Sequence, residues 1–503
     1  MHDLFVYFLT AFTFVFLRIF IIKKFKFDSS KSTGDCIGHL NLLKSLYENN
    51  GKIIDLKQYL FDTNDYPNGF HKLIYWLRIP LNRIEKIGVF IPSIFDFLLL
   101  LLLLLSVTFF GGDFKYWVLT FPFLLIFIHN NGRSFHFGER AMGTFFGSAY
   151  LFCIISYLMS YNYWYIGVAC FCFVVFSTSS KFSIQAVFLI SLILSIISLD
   201  YSPLLILMFC FIAACFLTAG YPYKVVKGLI RHSTYFSKRM HITNYSHSSY
   251  FDLFSKLLSF RPKKIANLYY FNPVCLIFSG VAVTPIFIYN IFFEEVIPSS
   301  MYWLVMMGLS GILVTLLISL KPFKILGEPE RYLEYVVIPI VLVLTYIPFK
   351  PSLIVLISMG FLLLSFLLKI YFLFNLKVAN SQEFYNDQDH LIKYVNTMDN
   401  KTLLCIDLRL SFLLGYYNNK VKFVTLFGNI GIGKQDAFTE LVPEKYPYPG
   451  DDLSKYIKKH NIDYICVSHQ SLRNVADIMK YDFSKFTKVF DNGSFSVYEI
   501  GVL

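Results

Sequence analysis

The chain has 503 residues, of which 56% are hydrophobic and 19% aromatic, and it carries a formal charge of +12. Only 16% of the residues are charged and the mean hydropathy is +0.55, values that exclude an ordinary soluble domain and indicate a membrane protein with several spans. The basic residues lie in loops between apolar runs, where lipid phosphates are their nearest partners, so we expect membrane lipids and no nucleic acid as ligands.

Eleven apolar runs are long enough, or nearly long enough, to cross about 30 Å of hydrocarbon. The first has no cleavage site after it, so we expect it to remain as an anchor. The third, fifth, sixth and tenth runs are short, which gives the count a margin of about one or two. The runs lie at 4–22, 88–110, 116–129, 141–159, 163–177, 184–198, 203–219, 273–293, 302–320, 335–349 and 351–374.

Residues 380–503 are more polar and predict a soluble α/β domain that follows a transmembrane module of residues 1–379. Strand-like apolar runs such as "LLCIDL" and "IDYICVS" alternate with the helical "DDLSKYIKKHN". Asn492 and Gly493 predict a hairpin turn near the end. "GNIGIGKQ" has the spacing of a phosphate-binding loop, but Gln435 stands where magnesium binding needs Ser or Thr, so we interpret it as a glycine-rich turn.

With eleven spans, the large polar loops all fall on one side of the membrane, the largest being the loop 23–87. The loops on the opposite side are short and carry few reactive groups. An active site on one face of a helical bundle requires such convergence, although a face that only carries larger loops gives the same pattern. The basic residues would put this face in the cytoplasm, but loops near 50 residues weaken that rule, so charge alone leaves the orientation open.

Two stretches of the first loop carry a family resemblance, "STGDCIGHLNLLKSLYENNGKI" (32–53) and "DTNDYPNGFHKLIYWLRIP" (62–80). They resemble the first extracytoplasmic loop of GT-C fold glycosyltransferases, which has an acidic residue after the first transmembrane helix and a "YP.G.H.L" return to the membrane. In outline the resemblance covers the whole chain. It implies an α-helical polytopic membrane protein of bacterial type with about 11 transmembrane helices, in the plasma (inner) membrane, with its active face and C-terminal α/β domain extracytoplasmic.

The resemblance also implies an inverting transfer of a sugar from a polyprenyl-phosphate donor to a glycan, lipid or protein acceptor. Asp35 stands where the family has its catalytic base, and sugar transfer needs a carboxylate to accept the proton of the acceptor hydroxyl. The alternative is that Asp35 caps the following helix. We expect no cofactor, although one divalent ion between Asp35 and a phosphate is compatible with the sequence.

Cations on the same face are candidates for holding the departing phosphate. Arg331, in "LGEPERYLEY", offers a guanidinium that matches phosphate oxygens, or else pairs with glutamates of its own helix. Arg140 and Lys181 either bind phosphate or anchor the ends of their helices at the membrane boundary. The loop 220–272 predicts a basic helix in the headgroup region, which either guides the donor or only binds lipid headgroups. The full set expected around the donor is His39, Arg133, His136, Glu139, Arg140, Lys181, Arg231, His232, Glu328 and Arg331.

Other functions remain open. A transporter or flippase of lipid-linked glycans also needs cations and would carry charges in the middle of several spans, whereas here they lie near span ends. Asp96, within the second span, is expected to face the bundle interior or the headgroups. A polymerase of lipid-linked glycans would have one large loop near the end of the chain, and a purely structural membrane protein is the third alternative.

Overall fold

The computed structural model describes most of the helical part of the chain and much of the C-terminal part. The described residues are 2–25, 34–53, 59–62, 67–110, 137–237, 277, 283–293, 298–327, 329–346, 356, 360, 363, 367, 382–407, 410–427, 453–469 and 481–501. The expected span at 116–129 lies outside these ranges, as does nearly all of the span expected at 351–374.

Helices dominate the described residues. The first ten are α1 (His2–Phe25), α2 (Gly34–Glu48), α3 (Gly69–Trp76), α4 (Leu81–Ile87), α5 (Ile91–Phe110), α6 (Arg140–Ser160), α7 (Trp164–Ser179), α8 (Lys181–Ser198), α9 (Ser202–Leu217) and α10 (Tyr221–Ser237). They are followed by α11 (Thr284–Phe293), α12 (Tyr302–Ile318), α13 (Glu330–Leu333), α14 (Val337–Thr345), α15 (Gln382–Val395), α16 (Leu410–Tyr417) and α17 (Leu453–His460). Short 3₁₀ turns occur at Gly88–Phe90, Ser299–Met301 and Lys321–Leu326.

Four described helical segments are apolar and long enough to cross a membrane, namely Leu81–Phe110, Arg140–Ser160, Lys181–Ser198 and Ser299–Ile318. A fifth is added if α9 and the start of α10, which meet at a bend of 115°, form one span. The described residues therefore support a membrane-associated helical protein with four or five candidate spans, fewer than the eleven expected. Length explains part of the difference, because α7 has only 16 residues and, at 1.5 Å per residue, is shorter than the hydrocarbon layer.

Polar residues in short turns separate the apolar helices. The helices α6 and α8 are each followed by a residue with left-handed backbone, Tyr161 at φ 54° and Leu199 at φ 55°. The side chain of Asn162 then accepts a hydrogen bond from the first amide of α7 at 3.0 Å, and that of Asp200 accepts one from the first amide of α9 at 2.8 Å. These side chains replace the carbonyl partners that the first turn of a helix lacks.

Small residues let the apolar helices approach one another closely. The helix α6 packs on α5 and α7, and α12 packs on α8 and α14. Gly311 of α12 lies against Val336, where an added methyl group would overlap the valine side chain. Asp96 of α5 is buried and pairs with the buried Arg18 of α1. Of the two positions expected for Asp96, the bundle interior and the headgroups, the structure has the first.

The described strands form one mixed sheet that includes a strand from the first loop. The strands are β1 (Tyr59–Asp62), β2 (Thr402–Cys405), β3 (Lys422–Phe427), β4 (Tyr464–Ser468), β5 (Thr487–Asp491) and β6 (Phe495–Glu499), in the order β1-β3-β2-β4-β6-β5. The strands β1 to β4 pair in parallel, and β5 and β6 form the antiparallel hairpin expected at Asn492 and Gly493. Because β1 pairs with β3, this sheet contains strands from both sides of the boundary expected at 379/380.

Candidate functional site

Three segments meet at the start of α6, where a histidine of the first loop lies between two polar partners. His39 of α2 places Nε2 3.0 Å from a carboxylate oxygen of Glu139, the residue preceding α6. On its other side, His39 Nδ1 lies 3.0 Å from Nε2 of His71 in α3. Both ring nitrogens of His39 are thus engaged, and the contact joins α2, α3 and α6.

Burial decides the charge of the second histidine. His71 is fully buried, and burial lowers its pKa to about 3, helped by the neighbouring His39 and partly opposed by Glu139. His71 is therefore neutral at physiological pH. A protonated His39 donates one N–H to Glu139 and the other to His71, whereas a neutral His39 that donates to Glu139 accepts from His71. The contact between the two rings needs one N–H, so its donor and its acceptor depend on the tautomers of His39 and His71.

Close packing holds this cluster in place. The ring of Phe137 meets His39 edge to face with centroids 6.5 Å apart, and Gly138 lies so close that an added Cβ would stand 3.0 Å from His39 Nε2. Gly69, at the start of α3, lies against Ser179 at the end of α7, where a Cβ would come within 2.7 Å of the serine oxygen. The glycine in "YPNGFHKL" thus allows α3 to dock on the bundle.

A buried ion pair links the start of α6 to the segment before α14. Arg140 pairs with Glu334, whose side chain is 1% exposed, and Thr144 donates a hydrogen bond to the same carboxylate at 3.3 Å. Since Glu139 and Arg140 are consecutive, the histidine cluster and this ion pair are adjacent. A donor phosphate bound by Arg140 would have to share the guanidinium with Glu334.

The start of α8 lies beside the same segment. The guanidinium carbon of Arg331 stands 3.7 Å from the centroid of the Phe182 ring, a cation–π contact next in the chain to Lys181. The hydroxyl of Ser183, the residue after Phe182, forms a hydrogen bond of 2.9 Å with the hydroxyl of Tyr335. Two cations of the expected phosphate set are therefore carried by segments that contact each other.

The remaining expected residues are located less fully. Asp35 lies in the first turn of α2, and its backbone puts it one turn before His39 on the same helix face, but its side chain is not described. Arg231 and His232 belong to α10, and their side chains are also not described. Arg133, His136 and Glu328 lie outside the described residues. Their expected roles stay predictions.

The expected set omitted two side chains that the fold brings to this site. His71 stands in the "YP.G.H.L" stretch that carried the resemblance, so the motif contained the signal. Spacing along the helix predicts that glutamates near Arg331 pair with it, whereas Glu334 pairs with Arg140 across the bundle. Within the described ranges, no group of three His, Cys, Asp or Glu side chains has the arrangement of a metal site.

Comparison with protein-family models and with curated proteins finds no match for the chain. The two contacts that define the site are His39 with Glu139 and Arg140 with Glu334, which bring the first loop, the start of α6 and the segment 330–335 together.

Proposed function

We propose that the chain is an integral membrane glycosyltransferase of GT-C type, which moves a sugar from a polyprenyl-phosphate donor to a glycan, lipid or protein acceptor outside the cytoplasm. The full proposal includes about eleven spans in the plasma membrane and an extracytoplasmic C-terminal domain. The observation that carries it is the contact of His39 with Glu139. It brings the helix of Asp35 to the start of α6, beside Arg140.

In the proposed reaction, Asp35 accepts the proton of the acceptor hydroxyl as its oxygen attacks the anomeric carbon. The bond between that carbon and the phosphate oxygen breaks on the opposite face, which inverts the configuration. Negative charge then accumulates on the departing polyprenyl phosphate, where Arg331 and Lys181 stabilise it. His39 belongs to the same helix face as Asp35 and fixes the position of that helix through Glu139 and His71.

The stacking of Arg331 supports its role toward phosphate. The guanidinium carbon lies over the Phe182 ring at 3.7 Å from its centroid, and the N–H groups of a guanidinium match phosphate oxygens. The contact with Phe182 therefore holds the guanidinium beside the start of α8. Lys181 adds a point charge from the adjoining residue, and a lipid phosphate at this position would lie where α8 begins.

Transport of lipid-linked glycans is the second candidate, because Arg18 and Asp96 place charges inside the bundle. These two charges pair with each other and are therefore compensated. The candidate site instead gathers its polar groups where helices begin. This distribution favours the transferase.

A transfer assay with purified full-length protein tests the proposal. A panel of polyprenyl-phosphate sugars is offered with membrane extract to the wild type, to Asp35→Asn and to Asp491→Asn, a control in the exposed hairpin. Size-exclusion profiles and thermal unfolding check that the variants fold. We expect transfer by the wild type and the control and none by Asp35→Asn. An active Asp35→Asn would refute the base assignment, and a wild type inactive with every donor would contradict the transferase.

A further inference from the structure

The helix α2 has a second attachment, on the side away from His39. At about 100° per residue, Asn41 and Lys44 lie roughly 160° and 140° around the helix from His39. Asn41 donates a hydrogen bond to the carbonyl of Phe412 at 2.9 Å, and the ammonium of Lys44 donates one to the carbonyl of Tyr416 at 2.8 Å. Both carbonyls belong to α16, so α2 is held between the helical bundle and the C-terminal part of the chain.

Lys44 suits the end of α16. The last carbonyls of a helix lack partners within it and carry partial negative charge, which an ammonium group compensates. Lys44 also stands 5.5 Å from the centroid of the Tyr416 ring. Around this contact, Leu40 and Leu43 of α2 share a buried apolar cluster with Leu414 of α16.

Tyr416 extends the contact to the base of a span. Its hydroxyl donates a hydrogen bond of 2.6 Å to Glu85 of α4, the segment that leads directly into α5. Burial, followed by the hydrogen bond to Glu85, raises the pKa of Tyr416 well above its ordinary value, so the hydroxyl keeps the proton that it donates. One residue of α16 thus contacts both α2 and α4.

The neighbouring strand pairing connects the same parts. Tyr59 of β1 pairs with Phe423 of β3, and Tyr59 lies so close to Gly415 of α16 that a methyl group there would overlap its ring. The first loop is therefore attached to the C-terminal part through both α2 and β1. A change in the position of α16 would move the helix that carries Asp35 and His39.

We propose that Lys44, Tyr416 and Glu85 form a latch through which the C-terminal part of the chain holds α2 against Glu139. The three are positioning residues and do not touch the reacting atoms. Their effect on turnover rests on the proposed transferase function, whereas their hold on α2 can be measured without it. Accurate placement matters because a shift of about 1 Å at a catalytic group can cost about a hundredfold in rate.

The test compares two tyrosine-to-phenylalanine variants of the full-length protein. Tyr416→Phe removes the hydroxyl that reaches Glu85 and keeps the ring beside Lys44. Tyr464→Phe is the matched control, since Tyr464 donates a 3.0 Å hydrogen bond to Glu499 on another part of the sheet. Hydrogen exchange of peptides covering residues 36–48 is measured by mass spectrometry, together with the kcat and KM of transfer.

We expect Tyr416→Phe to speed exchange in α2 about fivefold, as loss of one hydrogen bond predicts, with no change in α6. It should lower kcat about tenfold with little change in KM, because the cations for the donor lie on other helices. Tyr464→Phe should change neither quantity. Lys44→Met removes the ammonium group with which α2 contacts α16, and it should have the same effect as Tyr416→Phe. It replaces Tyr416→Phe in the test if that variant folds poorly.

Unchanged exchange in α2 in both latch variants would overturn the latch. Faster exchange with unchanged kcat would overturn the positioning role. Absence of transfer by the wild type would refute the proposed function alone, and the exchange of α2 would still decide for or against the latch.

Discussion

The imidazole of His39 and the carboxylate of Glu139, 3.0 Å apart, join the first loop to the start of α6. Glu139 is followed by Arg140, whose partner Glu334 lies before α14. Residues far apart in the chain are thereby brought to one end of the helical bundle. The helix that carries Asp35 and segments that carry cations meet there, and the proposed transfer uses this combination.

His71 should make the stability of the fold depend on pH. Its pKa falls from 6.5 to about 3 on folding, so the unfolded chain binds more protons between these values. The contribution of neutral His71 is complete above its unfolded pKa and is lost as pH falls toward 3. At about pH 5 the loss is about 2 kcal/mol. Thermal unfolding should therefore show a larger decrease from neutral pH to pH 5 in the wild type than in His71→Leu, and equal decreases would contradict the buried neutral histidine.

The buried pair at the start of α6 should matter far more than an exposed one. Arg140→Met would leave the carboxylate of Glu334 buried without its main counter-charge, at a cost of about 3–5 kcal/mol in the free energy of unfolding. Lys488→Met removes the cation of an exposed pair with Asp491 and should have little effect. Unfolding temperatures of both variants in detergent provide the measurement. Similar temperatures for the two variants would contradict the burial of the Arg140 pair.

Local chemistry allowed some features to be predicted. The cost of a carboxylate among apolar residues limited Asp96 to the bundle interior or the headgroups, and its pairing with Arg18 decides for the interior. The dipeptide Asn492-Gly493 predicted the hairpin of β5 and β6, because its residues tolerate the backbone that a tight turn needs. The polar residues of the loops also predicted His39, Glu139 and Arg140 as candidate site residues. They did not predict the partners of these side chains.

Features that depend on pairing between distant residues were not predicted. The strand β1 comes from the first loop and pairs with β3, but its sequence alone does not specify a partner more than 350 residues away. The same limit hid the pairing of Arg140 with Glu334. The shortness of α7 was expected, because its apolar run at 163–177 is itself too short for a full crossing, and the helix has 16 residues.

The close approach of α12 to the segment before α14 can be tested with two glycines. Gly311→Ala would push a methyl group into the branched side chain of Val336 and should lower the free energy of unfolding by about 1–3 kcal/mol. Gly167→Ala, in α7, meets nothing within 4 Å and should raise it by about 0.5–1 kcal/mol. Unfolding in detergent followed by tryptophan fluorescence compares them. Equal stability of the two variants would show that α12 is not packed as described.

The central claim is that a lipid phosphate binds where α2, α6, α8 and α13 meet, and photolabelling tests it most directly. Full-length protein in lipid nanodiscs is irradiated with a polyprenyl phosphate that carries a diazirine in the isoprene unit next to the phosphate, and the labelled peptides are identified by mass spectrometry. We expect labels near Lys181 and Arg331 that unlabelled polyprenyl phosphate removes and the corresponding alcohol does not. Labels confined to the exposed apolar faces of α1 and α9, unaffected by either competitor, would contradict the claim.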